Sequence, residues 1–213
     1  MSGPTSGPIA LGALDLAALL CSRVCHDLIS PVGAIVNGLE VLEENKDEET
    51  KTFALDLIKK SANQASAKLQ FCRLAFGAAG SAGAQIDLGD AERVARGLLA
   101  DDKTSIVWNL PRELQPKNRV KLLLNMLLIG IGTIPRGGTL TVDAVDAGAG
   151  FRITATGLNA RLTEATATLL AGNPTQAVDA HAIQPVYTGI LARDCGLAVS
   201  AVAEGEGVVV TAR

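Results

Sequence analysis

Of the two histidines in the chain, His26 and His181, only the first has neighbours that could make it reactive. His26 is followed by Asp27 and, five residues on, by Pro31, within a segment of helical apolar spacing. Neutral imidazole is nucleophilic near pH 7 and the N–P bond it forms is easily broken again, so an exposed histidine suits reversible phosphoryl transfer. A carboxylate at Asp27 can hold one ring nitrogen protonated so that the other attacks. Proline inside a helix lacks the N–H that would bond the Asp27 carbonyl, at a cost of about 3 kcal/mol. Such a cost beside a histidine suggests a positional requirement, although an isolated exposed histidine is also an ordinary surface feature.

Rival chemistries of the same segment fit less well. Cys21-Ser22-Arg23-Val24-Cys25-His26 resembles a haem-attachment motif with one intervening residue too many. A zinc site would need Cys21, Cys25 and His26 to converge, yet a helix turns the ring about 100° from Cys25 and about 140° from Cys21. The same divergence disfavours a Cys25–His26 nucleophilic pair. His181 has no acid or thiol nearby in sequence and reads as structural or solvated.

A long helix must carry His26. Leu14, Cys21, Leu28, Ile35 and Leu42 recur every seven residues, with Ala17, Val24, Pro31 and Gly38 three residues later, which is a heptad seam. Asn45 reads as a C-cap and Asp47 as an N-cap for a second arm. There Leu55, Ala62, Leu69 and Phe76 keep the register, with Ile58, Ala65 and Cys72 three on. Each arm is roughly 45 Å long at 1.5 Å per residue, so a lone hairpin leaves apolar surface uncovered. Two copies would bury it as a dimeric four-helix bundle; the competing expectation is that the C-terminal half folds back over the hairpin. In this register His26 points to solvent among Ser22, Ser30, Gly33 and Asn37.

The Gly/Ala/Ser stretch Gly77–Ala84 divides the chain. The expected organisation is a flexible tail over 1–10, a helical hairpin over 11–79 and an α/β sandwich over 80–213. In the last, helices are expected near Asp87–Leu99, Lys117–Ile131, Arg161–Ala171 and Ala180–Asp194. Strands are expected at Thr104–Asn109, Gly138–Val145, Gly150–Thr156, Leu197–Ala203 and Gly207–Ala212, in a sheet at least partly antiparallel.

Composition excludes several classes. Nineteen Lys and Arg against 22 Asp and Glu give a net charge of −3, which argues against a nucleic-acid partner. One Trp, one Tyr and four Phe leave few rings for stacking on bases or sugars. No signal-peptide pattern is visible at the N-terminus and no apolar run approaches the roughly 18 residues of a membrane span, so the expectation is a cytoplasmic protein with four free thiols.

His26-Asp27-Leu28-Ile29-Ser30-Pro31 resembles the phosphoacceptor motif of sensor histidine kinases, His-(Glu/Asp)-x-x-(Thr/Asn)-Pro, and the hairpin resembles their dimerisation domain. By that resemblance His26 is phosphorylated, Asp27 assists, and Ser30 takes the place of the residue that positions a hydrolytic water. The second half resembles the kinases' ATP-binding domain in element order, with its nucleotide boxes lost. Ile129 stands where a magnesium-coordinating Asn is expected, Ala155 where an Asp reads adenine, and Asn159 where a Gly belongs. Near Tyr187-Thr188-Gly189 one glycine replaces a glycine-rich lid.

A phosphoacceptor hairpin followed by a degenerate ATPase-like domain resembles the ChpT-type histidine phosphotransferases. The resemblance implies a carrier that takes phosphate from the receiver Asp of a hybrid kinase and passes it to response regulators similar to CtrA and CpdR. A receiver helix would lie along Ser22, Ser30, Gly33, Asn37 and Glu40, with Gly33 and Ala34 allowing close approach. No cofactor is expected on this chain, and Mg2+ would arrive with the receiver. Two other functions fit the pattern: an active ATP-dependent histidine kinase, and a non-catalytic dimeric scaffold or antikinase.

Overall fold

The computed structural model describes residues 11–44, 47–77, 83–99, 103–172, 178–180 and 182–213. The tail over 1–10, the Asn45 cap, most of the Gly77–Ala84 divider and His181 lie outside them. Helix α1, Ala13–Glu44, runs antiparallel to α2, Glu48–Ala75. The second arm starts where expected, with Thr50 N–H donating to the Asp47 carboxylate at 2.8 Å. That bond and the one from the Thr50 hydroxyl hold the Asp47 carboxyl below its usual range, the hydroxyl having the larger effect.

A short strand β1, Gln85–Asp87, leads into α3, Leu88–Leu98. Then follow β2, Thr104–Trp108, the short β3, Leu114–Pro116, α4, Lys117–Thr133, β4, Gly138–Val145, and β5, Gly150–Thr156. The chain ends with α5, Glu164–Leu170, α6, Ile183–Asp194, and the hairpin β6, Val199–Glu204, with β7, Gly207–Ala212. The main sheet has the order β2-β4-β5-β7-β6; β2 is parallel to β4 and the other pairings are antiparallel. The fold is thus a helical hairpin followed by an α/β sandwich, as expected.

Details differ from the sequence expectation for local reasons. β1 and β3 pair with each other over three residues each, too few to show an alternating pattern. Helices α5 and α6 begin later than expected. Thr163 caps α5 by accepting from Thr166 N–H, and Asp179 accepts from Ala182 N–H ahead of α6. Helix α1 is long and apolar enough to pass for a membrane span by length and composition, contrary to the expectation from its apolar runs. Yet Arg23 and Asp27 lie within it and Pro31 and Gly38 are buried against α2.

The heptad seam divides into two faces. Toward α1, α2 buries Ala54, Ser61 and Ala65, small residues that let the helices close up. A Cβ on Gly38 would sit 2.6 Å from Ile58 Cγ1, so the arms touch backbone to side chain there. Leu55 and Leu69 instead face outward, as do Ile29, Val32, Val36 and Leu39 of α1; Ile29 is 72% exposed. Helical spacing puts these two stripes on the same side of the hairpin, away from His26.

The base of the hairpin belongs to the α/β core. Phe71 and Ala75 are fully buried in one cluster with Leu88, Leu123, Met126 and Phe151, and Leu16 and Leu20 of α1 pack against it. Folding back therefore occurs at this end of the hairpin, where α3 also lies along α2 as far as Ala67. Leu14, the first seam residue, is 87% exposed, so the seam starts later than its heptad suggests. Asn125 ties the junction: its amide nitrogen donates to the carbonyls of Ala75 at 3.0 Å and Lys121 at 2.7 Å, and its oxygen accepts from Gln184 at 2.6 Å.

Two glycines of α1 should respond oppositely to substitution. Gly38→Val should lower stability in urea denaturation by about 1–3 kcal/mol through overpacking against Ile58. Gly33→Ala meets nothing within 4 Å and should raise it by about 0.5–1 kcal/mol through helix propensity.

Candidate phosphoacceptor site

Residues Ser22 to Glu40 form one continuous stretch of α1 on which the candidate residues fall into two groups. Outward lie His26, Ser22, Ser30, Asn37 and Glu40, all exposed, with Gly33 half-buried and open above its Cα. Ala34 turns partly toward α2 and is half-buried. The His26 side chain is 62% exposed, while that of Asp27, one residue on, is 30% exposed because it turns toward α2. His26 Nδ1 lies 3.6 Å from Asp27 Oδ1, within ion-pair range and longer than a hydrogen bond. Nε2 is therefore the ring nitrogen remote from the carboxylate.

Two residues to which the sequence reading gave no role hold this pair. Arg23, one turn before Asp27, donates from Nε to Asp27 Oδ2 at 3.0 Å. Lys68, on α2, donates from Nζ to the backbone carbonyl of Asp27 at 2.9 Å. That carbonyl is the one that Pro31 leaves without its helical N–H, so a lysine 41 residues away replaces the missing bond. Cys72 sits one turn beyond Lys68, and burial, with the Asp27 charge second, pushes its thiol up to about 11. Arg23 could have been found by its spacing of four from Asp27, the distance at which opposite charges meet on a helix. No local pattern connects Lys68 to Pro31.

The resemblance-derived nucleotide positions sit in the second unit. Ile129 and Ala155 are buried in hydrocarbon, and Gly130 between the α4 neighbours presses onto the sheet, a Cβ there meeting Ile153 and Leu140 at 3.1 Å. Neither side chain offers an oxygen to a cation or a base. Asn159 is exposed at a left-handed φ of 59°, a conformation natural to the glycine it replaces in the resemblance.

Removing the amine at Lys68 should leave the Asp27 carbonyl unpartnered. Lys68→Met should cost about 1–3 kcal/mol in thermal or urea unfolding, while Lys68→Arg recovers most of it. The raised Cys72 thiol favours the neutral, protonated form in the folded state. Its contribution to stability is complete below the ordinary thiol pKa near 9 and is lost as pH rises toward about 11. Wild type should therefore lose more stability between pH 9 and 11 than Cys72→Ala does, measured by urea midpoints across that window.

Known proteins similar to this chain identify its family. Residues 88–207 match the family model for the histidine phosphotransferase C-terminal domain. Protein phosphotransferase ChpT of Brucella abortus (strain 2308) is 53% identical over 208 residues, covering 96% of this chain and 98% of that protein. A solved bacterial phosphotransferase is 50% identical and superposes with a TM-score of 0.87, over 98% of this chain and all of the other. A family model that spans more than half of the chain and a relative 53% identical along nearly its whole length show that the chain belongs to the histidine phosphotransferase family.

Proposed function

We propose that the protein is the histidine carrier of a phosphorelay, receiving a phosphoryl group on His26 from the receiver Asp of a hybrid histidine kinase and passing it to the receiver Asp of response regulators similar to CtrA and CpdR. The observation that carries this reading is the exposed ring whose Nδ1 faces the Asp27 carboxylate at 3.6 Å, on a helix face of small and polar side chains. The lone pair of His26 Nε2 attacks phosphorus in line. The bond from phosphorus to the partner's carboxylate oxygen breaks, and the carboxylate leaves with its electron pair. Nδ1 keeps its proton, and the positive charge on the ring is balanced by Asp27. Transfer onward is the reverse displacement.

The surface Ser22, Ser30, Gly33, Asn37 and Glu40 receives the receiver's helix, and the open space above Gly33 permits a close approach. Mg2+ is carried by the acidic pocket of the receiver, since Asp27 is already engaged by Arg23. Ser30, one turn from the ring, is the candidate for orienting a hydrolytic water. A second copy of the chain covers the stripe formed by Ile29, Val32, Val36, Leu39, Leu55 and Leu69 and completes a four-helix bundle in the cytoplasm.

Purified protein incubated with a phosphorylated receiver domain should take up label at His26, and His26→Ala should stay folded and take up none. Retained labelling of that variant would remove His26 from its role. Val36→Glu places a charge in the stripe and should shift the protein from dimer to monomer in light scattering. An unchanged mass would contradict the second copy.

A further inference from the structure

The Asp27 carboxylate has more than one cation within reach, and which one holds it decides what the neighbouring ring sees. Oδ1 faces His26 Nδ1 at 3.6 Å, and Oδ2 accepts from Arg23 Nε at 3.0 Å. From α2, Lys68 Nζ lies 2.9 Å from the backbone carbonyl of the same residue, so a change of rotamer at Asp27 would bring its carboxylate to that ammonium. Cys72 also faces Asp27 from α2, but its thiol, pushed up to about 11, carries no charge that competes near neutrality. Arg23 is therefore the group that keeps the carboxylate on the α1 surface beside the ring.

What keeps Arg23 on Asp27 comes from the α/β unit. The Arg23 side chain is 25% exposed and forms part of a groove lined also by Leu128, Gly132, Arg161, Thr163 and Pro185. No acidic residue lines this groove, and among the described residues Asp27 is the only carboxylate within ion-pair range of Arg23. The other cation of the groove, Arg161, repels the Arg23 guanidinium and so favours its position on Asp27. Arg161 is exposed and makes no ion pair among the described residues, while its backbone N–H is fixed on Thr133 O. Its charge is thus uncompensated and its place is set by the main chain.

We infer that Arg23 is a positioning residue for the phosphoacceptor, seated by the charge of Arg161, and that the two arginines set which nitrogen of His26 carries the proton. With Oδ1 held at the ring, the proton stays on Nδ1 and Nε2 keeps the lone pair that attacks phosphorus. A carboxylate released to Lys68 no longer favours the proton on Nδ1, and the fraction of rings with a bare Nε2 falls. The α/β unit, with hydrocarbon at Ile129 and Ala155, thereby acts on the acceptor through one fixed charge. The effect on transfer rests on the reading of His26 as acceptor; the effect on the ring proton does not.

The test is nitrogen NMR of the isotope-labelled full chain at about pH 8.5, where an ordinary imidazole is neutral. The shifts of the two ring nitrogens read the fraction of each tautomer, and the His26 signals are assigned by their loss in His26→Ala. Wild type should hold the Nδ1–H form in excess. Arg23→Met should lower the ratio of Nδ1–H to Nε2–H by at least about threefold, and Arg23→Lys should recover it in part. Arg161→Glu leaves both arms of the hairpin unaltered and draws the Arg23 guanidinium to itself. It should lower the ratio in the same way, with no further change when combined with Arg23→Met. Uptake of phosphate from a phosphorylated receiver should fall about tenfold in Arg23→Met and recover in part in Arg23→Lys. An unaltered ratio in Arg23→Met would overturn the positioning role, and an unaltered ratio in Arg161→Glu would overturn the part given to the α/β unit. Wild-type protein that takes up no label at His26, with the tautomer ratios as expected, would leave the positioning in place and remove the acceptor reading.

Discussion

The Lys68 ammonium on the Asp27 carbonyl is the contact on which the proposed phosphoacceptor depends. Proline at position 31 deletes one rung of the α1 hydrogen-bond ladder beside the His26 ring, and a bare carbonyl facing α2 would be costly. The lysine answers it at 2.9 Å and joins the two arms at the level of His26. The same carboxylate that balances the ring is held on its other oxygen by Arg23, so backbone and side chain of Asp27 are both fixed from outside. The geometry beside His26 thus comes from partners one turn away and one helix away, and the ring itself remains in solvent.

The α/β unit fills its interior with hydrocarbon. Ile129 and Ala155 are part of the core that they would have to vacate for a ligand. In return, the end of α2 is locked into that core by Phe71 and Ala75, and Asn125 joins α2, α4 and α6 through three hydrogen bonds. The hairpin is therefore anchored toward its base, which leaves the His26 face and the apolar stripe exposed.

Much of this was legible in the chain. Heptad spacing gave both arms, and 100° per residue gave the outward direction of His26, because helix geometry is fixed by local sequence. What the heptads hid was which of two faces each apolar residue serves: Ala54 and Ala65 meet α1 while Leu55 and Leu69 face outward, a division that depends on how close the arms pack. The strands β1 and β3 escaped because three residues carry no period. Arg23 was readable from its spacing to Asp27, whereas Lys68 was not, since its bond spans 41 residues and is made to backbone.

The most direct test of the central claim is phosphorus NMR, with nitrogen coupling, of the wild-type protein labelled by a phosphorylated receiver. With Nδ1 turned toward Asp27, the phosphorus should couple to Nε2 of His26. Phosphorus on Nδ1, or on any residue other than His26, would contradict the geometry described for the site.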